Sequence, residues 1–413
     1  MHYFEYRHNH LCCEEIPLTK IAAEAGTPAY VYSTKTIRRH FHAFKDAVAD
    51  HDHLICYSVK ANSNLSVLKL LSGLGSGFDI VSAGEFFRVM KAGGDPEKVV
   101  FSGVGKTEEE IRLCLEAKIL SFNVESEQEL DLIQRIGKET NQKAAVSLRV
   151  NPHMDPKTHP YIATGLKENK FGIPIEKALK IYRNAGAYSH LDFVGIDCHI
   201  GSQMLSLKPI LETLKELKKI VLNLKRAFVT LRHLNLGGGL GIRYSREAPP
   251  SPQEYISEIL RETKGLDVKL LFEPGRTIVG NAGILLTKVL YTKETSGKHF
   301  VIVDAAMNDL IRPALYNAYQ EIWPVEQREG ETLRADVVGP VCESGDFLAK
   351  DRPLPPLKSG DLLAIMGSGA YGFSMSSNYN SRRRAAEVLV DETDSKICRR
   401  RETYEDLIVG EEP

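Results

Sequence analysis

Between Leu54 and Gly275 the chain alternates eight times between a short apolar run and a helix-like stretch. The runs read LICYSV (54–59), GFDI (77–80), VVFSG (99–103), LSFNV (120–124), AVSLRV (145–150), FVGIDCHI (193–200), HLNLGG (233–238) and KLLFEPG (269–275). Each has the length and apolar content of a buried parallel strand. The stretches between them, such as SAGEFFRVMKAG, TEEEIRLCLEA, ESEQELDLIQRIG and LKPILETLKELKKIVLNL, repeat apolar residues at spacings of three and four. Ser126 and Glu129 have capping-box spacing at one helix start. Eight strand–helix units over about 225 residues are what an α/β fold of the (β/α)8, TIM-like barrel type requires. A doubly wound open sheet is the alternative, ranked lower because its glycine fingerprint is missing after the first strand.

Beyond about Gly280 the helical periodicity fades. GILLTKVLYTKE, HFVIVDAAM, LRADVVGPVCESGD, DLLAIMGSGAYG and AEVLVD are strand-like runs punctuated by proline and glycine, and they predict a separate β-rich domain. Three parts are expected: residues 1–30, an N-terminal segment assigned to the β domain; 31–280, the barrel; and 281–413, the C-terminal β domain. A formal net charge of −1 gives no electrostatic footprint for nucleic acid. The basic runs Arg382-Arg383-Arg384 and Arg399-Arg400-Arg401 are expected to be solvated faces. No apolar run approaches a membrane span, and the first residues lack the basic and apolar regions of a signal peptide. Seven scattered cysteines form neither a disulfide framework nor a zinc-ligand spacing. A reducing cytoplasm is the expected setting, with no membrane and no metal.

Chemistry in such barrels sits where strands end and βα loops begin. The first strand is expected to end at Lys60, the second with Asp79 and with Glu85 on the next helix, and the sixth at His199. The seventh leads into Gly237-Gly238-Gly239-Leu240-Gly241 and the eighth into Glu273-Pro274-Gly275-Arg276. Singly, each has a plain structural explanation. A strand-end lysine usually reaches solvent along its stem, a buried histidine usually belongs to the core, and a glycine run is usually a tight turn. Together they say more. Barrel phosphate sites are built from the loops after strands seven and eight, and glycines there let backbone N–H groups approach an anion. An amine, an anion cradle, a flat imidazole and a carboxylate suit one cofactor, pyridoxal 5'-phosphate. Lys60 would hold its aldehyde, the glycine loop its phosphate, His199 its ring face and Glu273 its pyridine nitrogen.

At these residues the sequence resembles the diaminopimelate decarboxylases, within the fold type III pyridoxal-phosphate group that also contains alanine racemase and the ornithine and arginine decarboxylases. YSVKANSN, GFDIVSAGE, CHIGSQ, NLGGGLGI, EPGRTIVGNAG, MNDLIRPALYNAYQ, GPVCESGDFLAKDR and GSGAYGFSMSSNYNSRRR carry the resemblance through nearly the whole chain. It implies a pyridoxal-phosphate barrel, a C-terminal β domain, and a homodimer with active sites at its interface. By resemblance Lys60 and Cys342 are catalytic, the cysteine being given by the partner subunit. Lys60, His199, Ser202, Gly239, Glu273, Arg276 and Tyr371 match cofactor positions; Asp79, Gly238 and Gly275 join them from their places at strand ends. Arg276, Arg312, Tyr316, Glu343 and Tyr371 match substrate contacts.

The implied reaction is decarboxylation of meso-2,6-diaminopimelate to L-lysine and carbon dioxide, the last step of lysine biosynthesis. That substrate carries an amino acid group at its far end, which needs recognition by both signs of charge, and Arg276, Arg312 and Glu343 supply both. In the ornithine group an aspartate follows the cysteine, whereas Glu343 and Ser344 follow it here. The alternatives are a related decarboxylase acting on ornithine, arginine, D-lysine or a carboxylated polyamine, and a catalytically dead regulatory homologue. Lys60, Glu273 and Cys342 together argue against the second. Two departures from the family pattern, Arg383 in place of a proline and Gln320 where a histidine is common nearby, touch no assigned role.

Overall fold

The computed structural model describes residues 2–412 apart from 49, 152–169, 200 and 329. Ile200, the last residue of the sixth apolar run, lies outside the described residues. The chain divides into two compact units. One comprises His40–Ile242 with Ala248–Thr277; the other comprises residues 1–39, Arg243–Glu247 and Ile278–Pro413.

The first unit is the barrel. Its strands are β1 (His53–Ser58), β2 (Gly77–Ile80), β3 (Val99–Phe101), β4 (Ser121–Val124), β5 (Ala144–Asn151), β6 (Leu191–Asp197), β7 (His233–Asn235) and β8 (Lys269–Phe272). All pair in parallel with the next in order, and β8 returns to β1 with Phe272 opposite Ile55, so the sheet closes. All eight apolar runs are therefore strands. Two of the strands stop short of the candidate residues expected at their ends. β1 stops at Ser58 and Lys60 sits in the 3-10 turn Val59–Ala61, because the Ser58 N–H still bonds Pro274 O (3.2 Å) while Tyr57 Oη donates to Asn62 O (3.0 Å) and rolls the chain over. β6 likewise stops at Asp197, two residues short of His199.

Among the described residues seven helices run between the strands: α1 (Leu65–Gly73), α2 (Ala83–Lys91), α3 (Glu108–Glu116), α4 (Glu127–Thr140), α5 (Ile175–Arg183), α6 (Lys208–Arg226) and α7 (Pro252–Thr263). Their apolar stripes are buried; on α6 these are Ile210, Leu214, Leu217, Ile220, Val221 and Leu224. The capping box expected at Ser126 forms only by half. Ser126 Oγ accepts from the Glu129 N–H (3.1 Å), but the Glu129 carboxylate accepts from the Glu125 N–H (3.0 Å) and from Lys106 Nζ (2.7 Å) instead. Complete boxes form at Thr107/Glu110 and Ser251/Glu254.

In the β-rich unit, Gly283–Thr295 is the long central strand. It pairs with Lys298–Val303 and with Leu362–Ile365, and on its other side with Ala29–Ser33, which in turn pairs in parallel with Ala386–Asp391. Phe4, Leu11, Leu18, Val31, Leu286, Ala364 and Val388 form its core. The two arginine triplets are the expected solvated faces only in part: Arg383 and Arg400 are exposed, while the other four are half-buried. The strands Ala386–Asp391 and Asp394–Arg399 pair antiparallel and bring the triplets side by side. Arg382 donates to Asn308 Oδ1 and Asp304 O, Arg384 to Ser376 Oγ and Phe373 O, Arg399 to Glu387, and Arg401 to Pro28 O. Asn308, Asp304 and Pro28 are distant in sequence from the arginines that hold them, so Arg382 and Arg401 tie separate segments of the unit together.

Candidate active site

Every barrel strand ends in a polar side chain of the same parity. Two residues after Cys56, Gly77, Val100, Ser121, Ser147, Gly195, His233 and Leu271 come Ser58, Asp79, Ser102, Asn123, Arg149, Asp197, Asn235 and Glu273. Period-two alternation puts each set on one face of its strand, and closure turns that face inward. All eight of the second set are buried, and they meet. Ser58 Oγ lies 2.9 Å from Asp79 Oδ2; Asn123 Nδ2 donates to Ser102 Oγ (3.0 Å) and to Glu273 Oε1 (3.3 Å); Asn235 Nδ2 donates to the same Oε1 (2.6 Å). The result is a buried polar layer at the carboxyl end of the barrel.

Acid predominates there. Burial, then the neighbouring Asp79 and Asp197, raise the Glu273 carboxyl well above the usual range against the pull of Lys60. Asp197 is pushed up to about 7 by burial, opposed by Arg149. Glu85, near Lys60, is also raised to about 7, mainly by burial. Lys60 Nζ donates to Asp79 Oδ2 at 2.5 Å; Asp79 is fully buried, and its Oδ1 has no partner among the described residues.

His199 Nδ1 accepts from the Gly238 N–H (3.1 Å). Burial, together with the Arg149 and Lys60 cations, drives the ring well below its ordinary pKa. It is thus a neutral imidazole with its proton on Nε2. The glycine loop could not be built from other residues. A Cβ on Gly238 would lie 2.1 Å from Glu273 O, and one on Gly239 (φ +104°) would lie 2.2 Å from Gly201 O. The N–H groups of Gly237 and Gly238 are spent on Asn235 Oδ1 and His199, while that of Gly239 bonds no described residue. Gly275 packs against Ser58 and Ala61, and Arg276 Nη2 donates to Ser202 Oγ (3.0 Å).

The remaining sequence-derived residues belong to the β-rich unit. Arg312 is buried at the start of the short helix Arg312–Tyr316, its guanidinium 4.7 Å from the centre of the Tyr244 ring. Tyr316 ends that helix. Cys342 is exposed, its N–H bonded to Asn380 Oδ1 (3.0 Å), and the exposed Glu343 accepts from Tyr379 Oη (2.9 Å). Tyr371 holds a left-handed backbone (φ +56°) in the loop after Leu362–Ile365. Asn123, Arg149, Asp197 and Asn235 were missed by reading strand ends alone; their common parity is the signal that reveals them.

The family described as pyridoxal-dependent decarboxylase, pyridoxal binding domain, matches residues 34–280. The diaminopimelate decarboxylase of Vibrio cholerae is 54% identical over 409 residues, 98% of each chain. That of Pseudomonas aeruginosa is 55% identical over 408 residues, 99% of this chain and 98% of the other. The chain belongs to the diaminopimelate decarboxylase family. A solved family member, the Helicobacter pylori diaminopimelate decarboxylase complexed with L-lysine, superposes with a TM-score of 0.92 at 45% identity, covering 95% of this chain and 98% of that one. The barrel residues fit the pyridoxal cofactor that the matching family description names. They offer a primary amine on a buried carboxylate, a backbone N–H in a glycine loop that no described residue takes up, a neutral flat ring, and a carboxyl whose proton affinity is raised.

Proposed function

We propose that this chain decarboxylates meso-2,6-diaminopimelate to L-lysine and carbon dioxide, with pyridoxal 5'-phosphate held on Lys60. The observation that carries this reading is Lys60 bonded to Asp79 above a buried polar layer that ends in Glu273. Lys60 holds the cofactor through its amine. Gly238, Gly239 and Gly275, with Ser202, Arg276 and Tyr371, take the phosphate end. His199, kept neutral, offers an uncharged face to the ring, and Glu273 shares its proton with the pyridine nitrogen. When bound, the cofactor supplies an electron sink for the pair left behind as carbon dioxide leaves.

Arg276, Arg312, Tyr316, Glu343 and Tyr371 bind the substrate, whose distal amino acid group needs both a cation and an anion. Cys342 delivers the proton to the carbon that has lost its carboxylate. In this reading the chain is a homodimer and each Cys342 serves the partner's barrel. The exposure of Cys342, Glu343, Leu315, Tyr319 and Tyr379 on a single chain supports that assignment. A working thiol also suits the reducing cytoplasm, to which we assign the enzyme.

The test is carbon dioxide release from a substrate panel. meso-Diaminopimelate should be turned over with equal amounts of L-lysine and carbon dioxide, and ornithine, arginine and D-lysine should fall far behind. Preferential turnover of a substrate lacking the distal carboxylate would replace this reading by that of a related decarboxylase.

A further inference from the structure

Arg149 and Glu125 form a buried ion pair with no part in the roles above. Arg149 lies near the end of β5 and Glu125 one residue past β4; their side chains are 7% and 2% exposed, and Arg149 Nη1 donates to Glu125 Oε1 at 2.8 Å. A buried pair is a weak source of stability, because an apolar pair of similar volume often serves as well. What distinguishes this one is where its other atoms go. Glu125 Oε1 also accepts from the Gly103 N–H (3.2 Å), past β3, and Oε2 accepts from the Gly172 N–H (2.8 Å), ahead of α5. Arg149 Nη2 donates to His199 O (3.4 Å), past β6, and its Nε lies 3.9 Å from Asp197 Oδ2. Its guanidinium lies 4.8 Å from the centre of the Phe171 ring, and Asn151 Nδ2 holds Phe171 O (3.3 Å).

The backbone of Glu125 is fixed in turn. Its N–H bonds Glu129, whose other oxygen is held by Lys106, and Lys106 Nζ also bonds Gly103 O and Asn123 O. Four successive βα segments thus converge on one pair. His199 is gripped at two points, at Nδ1 by Gly238 and at its carbonyl by Arg149.

We infer that Glu125 and Arg149 are positioning residues that tie the loops after β3, β5 and β6 into one platform and set the orientation of the His199 ring. The inference rests on the proposed role of His199 at the cofactor. The Arg149 charge adds to the effect, since it helps to keep the imidazole unprotonated.

Two variants test it on the full-length protein: Arg149→Lys, which keeps a charge beside Glu125 but loses the fork, and the neutral double variant Glu125→Gln/Arg149→Met. Melting of the cofactor-free protein, pyridoxal phosphate affinity by absorbance titration, and visible circular dichroism of the bound cofactor are measured for each. Partners that orient a metal-holding histidine are commonly worth about 10- to 100-fold in metal affinity, and the same order is expected for a ring-holding one. Arg149→Lys should melt close to wild type, bind pyridoxal phosphate about tenfold more weakly, and give a diminished visible dichroism. The double variant should do the same. Wild-type affinity and dichroism in whichever variant folds would overturn the inference, and so would failure of both to fold, which would make the pair structural only. If the wild-type chain itself does not bind pyridoxal phosphate, the proposed role of His199 fails, not the pair.

Discussion

Glu273 shows how far a buried side chain depends on its neighbours. Two amide donors, Asn235 and Asn123, share its Oε1, and two nearby acids, with burial, raise its proton affinity. Replacing it by glutamine keeps the shape and removes the exchangeable proton. Glu273→Gln should therefore retain cofactor on Lys60 while kcat falls by about 10²- to 10³-fold, the usual cost of losing one electrostatic partner of a transition state; an unchanged kcat would remove Glu273 from the chemistry. His233 carries a prediction of a different kind. It is buried at the start of β7, within 2.7 Å of Ser147 Oγ, and burial lowers its pKa from 6.5 to about 4. A depressed folded pKa means that the unfolded chain takes up the proton first. The stabilisation is therefore present above pH 6.5 and is lost as pH falls toward 4, by about 3 kcal/mol in all. His233→Asn should flatten that part of the pH profile in urea unfolding. A variant whose midpoint falls as steeply as wild type between pH 6.5 and 4 would contradict the assignment.

Among the elements, the loop after β7 is the least tolerant. A Cβ on Gly238 would press on the backbone carbonyl of Glu273, whose oxygen also accepts from Ser58 Oγ (3.0 Å). Gly238→Ala should cost about 1–3 kcal/mol of stability and abolish cofactor uptake, whereas Gly186→Ala, which meets nothing within 4 Å, should do neither. Equal behaviour of the two in melting and titration would refute the close-packing account. The strands themselves were legible because apolar runs bounded by turns and separated by amphipathic stretches leave few other solutions. Lys60, Asp79, His199 and Glu273 were legible because they sit at or just past strand ends. Asn123, Arg149, Asp197 and Asn235 were not, since a polar residue in an apolar strand reads as solvent-facing until closure turns its face inward. Arg382 and Arg401 were not legible for a similar reason: their acceptors Asp304 O and Pro28 O lie far away in sequence. Ser202, Arg312, Tyr316, Glu343, Cys342 and Tyr371 came from family resemblance alone, because nothing in their local sequence names a ligand.

At the scale of the molecule, the residues proposed to hold the cofactor belong mostly to the barrel unit, and Cys342 and most of those proposed to bind substrate to the β-rich unit. If each Cys342 serves the partner, mixing inactive Lys60→Ala and Cys342→Ala dimers should restore activity. Random exchange at equal amounts makes half the dimers mixed, each with one intact site, so about a quarter of wild-type activity should return. Confirmed exchange, by mass or by tags, without recovery would put Cys342 in its own subunit's site or outside the chemistry. All of this depends on Lys60 being the residue that carries the cofactor, and that can be read directly. Borohydride reduction of the wild-type holoenzyme, followed by digestion and mass spectrometry, should find the reduced pyridoxyl group on Lys60; its appearance on Lys106 or Lys170, or on no lysine, would contradict the account.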